Sequence, residues 1–144
     1  MEKKKKLLRN ENGFTLLEII AILILLAALA AAAVPRYIEL TEKAQQRGAL
    51  AAVAEGGVQV NAAAAHYILE FYRVPTSVDD LKGLSENPLQ DVTGKGDWDI
   101  TFTDGQEDTP SVKVTATGRE EGPSNIPGTV SQSRDFPLPR ETAG

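Results

Sequence analysis

The sequence contains no cysteine and a single histidine, His66. The absence of cysteine excludes disulfide bonds, thiolate metal sites, iron–sulfur clusters and cysteine nucleophiles. One histidine leaves few ligands for a zinc site, so His66 is interpreted as a packing or surface residue. Motifs of serine hydrolases, phosphate-binding loops and zinc metalloproteases are also absent. The sequence therefore predicts a protein that is not an enzyme and carries no cofactor.

Positive charge is scarce outside the N-terminus. The 144 residues include 15 Lys and Arg against 20 Asp and Glu, a formal net charge of -5. Residues 1–13 hold five basic and two acidic residues, 5 − 2 = +3, which leaves ten basic and eighteen acidic residues, 10 − 18 = −8, for the rest. An acidic surface repels phosphate backbones on average. The sequence therefore predicts no dedicated nucleic-acid site.

An uninterrupted apolar run follows the basic N-terminus, from Phe14 to Val34. Its 21 residues contain one charged side chain, Glu18, and Pro35 comes directly after them. A helix of this length spans about 31 Å, which matches the hydrocarbon core of a bilayer. The sequence therefore predicts a membrane segment. The preceding lysines place the N-terminus on the cytoplasmic side and everything after Pro35 outside.

Three interpretations of this segment fit its length and flanking charge. A secretory signal peptide needs small residues before its cleavage site, and Ala28-Leu29-Ala30 supplies them. An uncleaved signal anchor needs only the apolar length and the basic flank. Neither explains Glu18, because an unpartnered carboxylate at bilayer depth costs about 2–3 kcal/mol.

The third interpretation rests on the hexapeptide Gly13-Phe14-Thr15-Leu16-Leu17-Glu18, which follows a short basic leader and opens the apolar helix. This pattern resembles the type IV pilin and type II secretion pseudopilin family. Pro35 matches the proline that ends the family's apolar segment. Ala27 stands where the family has a glycine near the middle of that segment. The close motif covers residues 9–36.

The resemblance implies how the chain is processed and assembled. A membrane peptidase cuts after Gly13 and methylates the new amine of Phe14 in such proteins, so these two are the expected processing residues. Glu18 neutralises the amine of a neighbouring subunit, and Phe14, Glu18 and Pro35 are the expected assembly residues. The implied partners are further copies of the chain, a prepilin peptidase/methyltransferase and an inner-membrane assembly platform. The implied location is the bacterial inner membrane, followed by a pilus or a periplasmic filament.

The segment from Arg36 to about Tyr72 has the pattern of an amphipathic helix. Its apolar positions recur at steps of three and four residues, at Leu50, Val53, Gly57, Val60, Ala64, Tyr67 and Phe71. Gly56-Gly57 interrupts good helix-forming sequence and is compatible with either a kink or close packing against the rest of the protein. Close packing is favoured, because the apolar stripe continues in phase across the pair.

The C-terminal half is expected to contain short strands. Residues 76–81 predict a capped turn of helix that ends at Gly83. Two alternating runs within residues 97–117 predict an antiparallel hairpin, with the apolar side chains of both runs on one face. Residues 129–131 are a candidate third strand. The tail from Phe136 contains two prolines and is predicted to wrap the surface or to be disordered.

These elements predict an α+β fold. A long N-terminal helix, membrane-embedded in its first half and amphipathic in its second, packs on a small antiparallel sheet. The expected segments are a basic leader (1–13), an apolar transmembrane or assembly helix (14–35), an amphipathic helix (36–74) and a β head with a proline-rich tail (75–144).

Five acidic residues near the hairpin are weak calcium candidates: Asp97, Asp99, Asp104, Glu107 and Asp108. They do not fit an EF-hand loop, because Phe102 occupies the position of the required glycine. Asp97 and Asp99 are predicted to share the solvent face of a strand. Solvated charge is therefore the favoured interpretation, and no metal site is predicted.

The leading functional hypothesis is a pilus subunit. A type II secretion pseudopilin shares every feature above, and the lack of a recognisable calcium loop favours the pilin. A third class, a signal-anchored extracytoplasmic binding domain, would retain an intact N-terminus or be cut near Ala30.

Overall fold

The computed structural model describes residues 14–106 and 108–140. Its elements in chain order are helix α1 (Leu16–Phe71), helix α2 (Val78–Lys82) and strands β1 (Trp98–Asp104), β2 (Ser111–Gly118) and β3 (Ser131–Pro137). The chain divides into two compact units, with the boundary after Leu40. The predicted α+β fold is confirmed, since a long N-terminal helix packs on a three-stranded antiparallel sheet.

In the first unit, α1 begins at Leu16, two residues after the expected start at Phe14. The sequence from Leu16 to Val34 is rich in leucine and alanine, which have high helix propensity. Every described residue of this unit is exposed. The helix therefore presents apolar side chains to its surroundings on all sides.

In the second unit, the sheet has the order β1-β2-β3 with both pairs antiparallel. Ile100 lies opposite Ala116, and Phe102 lies opposite Val114, so the predicted hairpin and its apolar face are confirmed. All four side chains are buried. The alternation of apolar and polar residues places one face of the hairpin in the core and the other towards solvent.

Strand β3 corrects the prediction for the C-terminal region. It covers Ser131–Pro137 rather than residues 129–131, and it includes Phe136, which was assigned to the tail. Leu138, also assigned to the tail, is buried in the core. The strand was missed because Gln132 and Arg134 occupy positions on the helix-facing side and break the apolar alternation. Pairing with β2, and not sequence pattern, stabilises this strand.

The part of α1 within the second unit covers one face of the sheet. Its buried residues are Ala49, Ala52, Val53, Gly56, Gly57, Val60, Ala63, Ala64 and Tyr67. The predicted stripe is correct in its centre and wrong at its ends, because Leu50 and Phe71 are 53% and 44% exposed. Six of these nine residues are Gly or Ala, so the helix backbone approaches the sheet closely.

Gly56 and Gly57 lie at the closest approach of α1 to the sheet. A Cβ atom on Gly56 would collide with Val114, and one on Gly57 would collide with the ring of Phe136. The helix continues through both glycines to Phe71. The interpretation of this pair as a close-packing site is confirmed.

Helix α2 is short and capped at both ends, as predicted. Ser77 is the N-cap, and its hydroxyl accepts a hydrogen bond from the Asp80 N–H at 3.4 Å. Gly83 is the C-cap, and its N–H donates to the Asp79 carbonyl. Leu81 is fully buried and ties α2 to the core beneath the sheet.

Candidate functional site

The candidate site predicted from sequence lies on the first part of α1. This helix is the one among the described residues that is long and apolar enough, by length and composition, to cross a membrane. The apolar side chains of its first part are all exposed, with Phe14 at 72%, Leu16 at 79% and Leu29 at 67%. Such a surface is far more extensive than an isolated exposed leucine and marks a membrane or protein interface.

Glu18 lies in the first turn of α1 and is exposed. Its backbone N–H donates to the hydroxyl of Thr15 at 3.2 Å, and the Ile19 N–H donates to the Thr15 carbonyl at 3.1 Å. Thr15 therefore caps the N-terminus of α1. A carboxylate in the first turn also interacts favourably with the positive end of the helix dipole. Part of the reason for an acid at this position is thus local helix stability.

Thr15 is a site residue that the sequence interpretation missed. The signal was present, because Thr15 followed three residues later by Glu18 matches the capping-box pattern before an apolar run. The same residues were assigned only to a family motif. The cap fixes where α1 begins and so places Glu18 in its first turn.

The remaining assembly and processing residues are distributed along the helix. Phe14 precedes α1 and is four residues before Glu18, whereas Pro35 lies 35 − 18 = 17 residues after Glu18, about 26 Å along the helix at 1.5 Å per residue. Pro35 is inside α1 and cannot donate a backbone hydrogen bond to the preceding turn. Gly13 lies outside the described residues. Glu18 therefore lies in the first turn of α1, and Pro35 lies about five turns farther along the same helix.

The acidic residues near the hairpin hold loops in place. Asp97 precedes β1 and accepts hydrogen bonds from the backbone N–H and the hydroxyl of Ser124 at 2.7 and 2.9 Å. Asp99 accepts from the Gly94 N–H at 2.9 Å and lies 3.3 Å from Arg119 Nε. The favoured interpretation of simple solvated charge was therefore incomplete, since both carboxylates order connecting segments.

The other calcium candidates lie elsewhere. Asp104 accepts a hydrogen bond from the Val78 N–H at 2.7 Å and so links β1 to the start of α2. Asp108 lies in the β1–β2 connection, and Glu107 lies outside the described residues. Within residues 14–106 and 108–140, no three His, Asp or Glu side chains form a group that could hold a metal ion.

His66 borders a cleft of about 330 Å³ between α1 and the segment after α2. The other lining residues are Gln59, Ala62, Ala63, Asn87, Pro88 and Leu89. Its ring is partly buried, which agrees with the interpretation as a packing or surface histidine. Its Nδ1 atom is buried and has no hydrogen-bond partner in the described part of the chain.

An exposed apolar N-terminal helix that continues onto a small antiparallel sheet defines a pilin-like protein. A comparison with curated proteins agrees. The chain is 31% identical over 136 residues to a fimbrial protein of Pseudomonas aeruginosa, and the match covers 89% of this chain and 83% of that protein. No protein-family model and no solved structure matches the chain. The chain belongs to the type IV pilin family and is a pilin-type structural subunit.

Proposed function

We propose that this chain is a prepilin that is cut after Gly13, methylated on the Phe14 amine and polymerised into a type IV pilus-like filament. The observation that carries the proposal is the fully exposed apolar part of α1, with a single carboxylate, Glu18, in its first turn. A subunit with this surface is stable only in a membrane or when its helix is covered by other subunits.

The role proposed for Glu18 follows from electrostatics. A carboxylate surrounded by lipid or by apolar helices is costly unless an opposite charge lies beside it. Cleavage after Gly13 removes the basic leader and creates an amine on Phe14, which supplies that charge from a neighbouring subunit. The ion pair forms only at one axial offset between two helices, so it sets the stagger of the subunits as well as neutralising the carboxylate.

Before assembly, the precursor is proposed to reside in the bacterial inner membrane with its basic leader in the cytoplasm and its head outside. The peptidase/methyltransferase and the assembly platform then act on the membrane-embedded form. The proposed segments are the leader (1–13), the assembly helix (14–35), the amphipathic helix (36–74) and the head (75–144). The fimbrial relative supports a pilus subunit over a secretion pseudopilin.

The decisive experiment expresses the full chain with a prepilin peptidase and an assembly platform, and examines sheared filaments by electron microscopy. Mass spectrometry of those filaments should find this chain, beginning at Phe14 with one added methyl group. Gly13→Val is the matched control, because a branched side chain at the cleavage site should leave the leader attached and the filaments absent. A mature N-terminus at Met1 or near Ala31 would show that the processing proposal is wrong.

A further inference from the structure

The two edges of the sheet differ in how their backbone groups are satisfied. On the β1 edge, Ile100 exchanges two backbone hydrogen bonds with Val92, at 2.8 and 2.9 Å. The Phe102 N–H donates to Asp91 Oδ1 at 2.9 Å, and the Phe102 carbonyl accepts from Lys82 Nζ at 3.0 Å. Lys82 and Asp91 also form an ion pair at 3.3 Å. The β1 edge is therefore closed to another strand.

The β3 edge is open. The hydrogen bond from the Gly118 N–H to the Val130 carbonyl fixes the phase of the β2–β3 ladder. Alternation along that ladder points the backbone N–H and C=O groups of Ser131, Ser133 and Asp135 away from β2. Within the described part of the chain, none of these outward groups has a backbone hydrogen-bond partner. Unpaired edges of this kind are templates for a further strand.

We infer that the β3 edge binds the β3 edge of a second copy of this chain, in an antiparallel pair centred on Ser133. This arrangement gives three hydrogen-bonded pairs: Ser133 with the partner's Ser133, Ser131 with the partner's Asp135, and Asp135 with the partner's Ser131. The β1 edge cannot take part, because its outward groups at Ile100 and Phe102 are already bonded. The pairing is therefore closed at two copies and does not propagate.

Charge and proline positions select this register over its neighbours. The next register towards the C-terminus places Arg134 opposite the partner's Arg134 and requires a hydrogen bond from Pro137, which has no N–H. The one after that places Asp135 opposite the partner's Asp135. The register in the other direction keeps only the pairs between Ser131 and the partner's Ser133. The register centred on Ser133 has the most hydrogen bonds and no like charges in opposition.

A second copy also supplies charge where this chain presents the opposite charge. A cleft of about 270 Å³ lies between α1 and β3, lined by Glu42, Gln45 and Gln46 on one side and by Thr129–Gln132 on the other. In the inferred register Gln132 lies opposite the partner's Arg134, on the side of the sheet that faces α1. The partner's guanidinium thus reaches the cleft that contains Glu42, and symmetry creates this contact twice.

The outer face of the sheet offers a second complementary contact. Asp135 is half-buried and lies opposite the exposed Lys113 of β2, so its side chain is on the outer face. The partner's Ser131 lies directly opposite Asp135 on that face, where its hydroxyl donates to the carboxylate. A hydrogen bond to a charged carboxylate is stronger than one between neutral groups, so this contact adds to the stability of the pair.

The inferred contact is distinct from polymerisation through the apolar helix. Its two-fold axis is perpendicular to the sheet, so the α1 segments over residues 41–71 of the two copies run in opposite directions. Neighbours along one polar filament all point the same way. The contact therefore joins heads that meet from opposing directions, and it requires neither cleavage after Gly13 nor the Glu18 ion pair.

Cysteine cross-linking of the full chain tests the register. Because the chain has no natural cysteine, each single substitution introduces the one thiol that can form a disulfide. Ser133→Cys places two thiols on residues whose Cα atoms are about 5.5 Å apart, within the range of a disulfide. The chain is purified in detergent with micelles in large excess, oxidised with copper phenanthroline and separated on a non-reducing gel. A disulfide-linked dimer is the expected result, and failure of Ser133→Cys to cross-link overturns the inference.

Two matched controls decide whether cross-linking reflects the register or random collision. Ser131→Cys lies on the same edge, but the two copies of residue 131 are four residues apart along the strand, about 13 Å. Thr103→Cys lies on the outer face of β1 and is exposed. Both should remain monomeric under oxidation. Cross-linking of either control to the extent of Ser133→Cys would overturn the inferred pairing.

Charge reversal tests the contact between Glu42 and the partner's Arg134. In the Ser133→Cys background, Arg134→Glu and Glu42→Arg should each lower the cross-linked fraction about tenfold, an effect of about 1.4 kcal/mol. Combining the two substitutions restores opposite charges and should return the fraction to within about twofold of the parent. Reaction of each variant with a small thiol reagent corrects for cysteine reactivity. A double variant no better than the single variants would overturn the assignment of this contact.

Discussion

Gly57 of α1 lies directly beneath the ring of Phe136 in β3, so closely that a methyl group on Gly57 would overlap three carbon atoms of that ring. Phe136 belongs to a strand that the sequence pattern does not reveal, and Gly57 belongs to a helix whose periodicity is plain. Their contact fixes how near α1 comes to the edge of the sheet that remains open.

Replacing Gly57 by alanine should destabilise the head. Alanine favours the helix by about 1 kcal/mol, but overpacking against Phe136 should cost more, and a net loss of about 1–2 kcal/mol in the free energy of unfolding is expected. Urea denaturation followed by the fluorescence of the single tryptophan, Trp98, measures it. Gly57→Ala combined with Phe136→Leu should recover part of the loss, because the ring is gone. A Gly57→Ala variant as stable as the parent would contradict the close contact.

A chain truncated to begin at Arg36 should be soluble, acidic and cooperatively folded. The deletion removes the continuous apolar surface of residues 14–34 and keeps the part of α1 that covers the sheet. Circular dichroism should show a cooperative thermal transition, and the apparent mass in gel filtration should not rise into the void volume. Persistent aggregation, or melting without a cooperative transition, would show that the head depends on the deleted apolar part of α1.

Substitution of Glu18 should separate membrane insertion from assembly. Glu18→Ala should insert as well as the parent or better, because a costly carboxylate is removed, and cleavage after Gly13 should continue. Filament yield should fall sharply, since breaking one side of a buried ion pair costs about 3–5 kcal/mol. Sheared-filament yield, compared with the membrane pool of processed subunit, is the measurement.

Two further Glu18 variants distinguish the proposed ion pair from the local role of this residue at the helix start. Glu18→Gln keeps the size and hydrogen bonding but not the charge and should assemble poorly, whereas Glu18→Asp keeps the charge with a shorter reach and should be intermediate. Thr15→Ala removes the helix cap alone and should cost about 1 kcal/mol of helix stability without abolishing assembly. Normal filaments from Glu18→Ala as the sole subunit would refute the ion pair.

Acid should weaken the head through Asp80. The Thr76 backbone N–H donates to this carboxylate at 2.8 Å and is the main cause of a lowered pKa for Asp80, against an opposing effect of burial; the Thr76 hydroxyl lowers it further. A folded-state pKa below the unfolded value means that the stabilisation is present above about pH 4. It is lost as the pH falls through that value towards the lowered pKa. Unfolding free energies measured between pH 6 and pH 3 should therefore decline.

The Asp80→Asn variant should show a shallower decline over the same pH range, because it has no carboxylate to protonate at that position. Asp79→Asn makes the same change in charge one residue earlier, at an exposed position, and is the control for the loss of one negative charge. Equal slopes for the parent and Asp80→Asn would show that this hydrogen bond does not contribute to acid sensitivity.

The elements with strong periodicity were predictable from sequence. The apolar run identified the exposed part of α1, and the alternation in residues 97–117 identified β1 and β2 with their buried faces. Ser77 and Gly83 marked the two ends of α2. Each of these patterns is local, because the side chains of neighbouring residues already specify which face of a helix or strand is apolar.

Tertiary structure decided the features whose cause lies far along the chain. Gln132 and Arg134 give β3 no apolar alternation, and only its hydrogen bonds with β2 make it a strand. Leu50 and Phe71 fit the helical stripe in sequence, yet both side chains are exposed in the structure. The face of α1 that packs on the sheet is instead the one that contains Gly56 and Gly57, where the helix comes closest to the strands. The loop-ordering hydrogen bonds of Asp97 and Asp99 likewise join segments that sequence distance keeps apart. Sequence periodicity specifies which face of a helix or strand is apolar. Which strand pairs with it, and which side chains pack against that face, is decided only when distant segments of the chain come together in the fold.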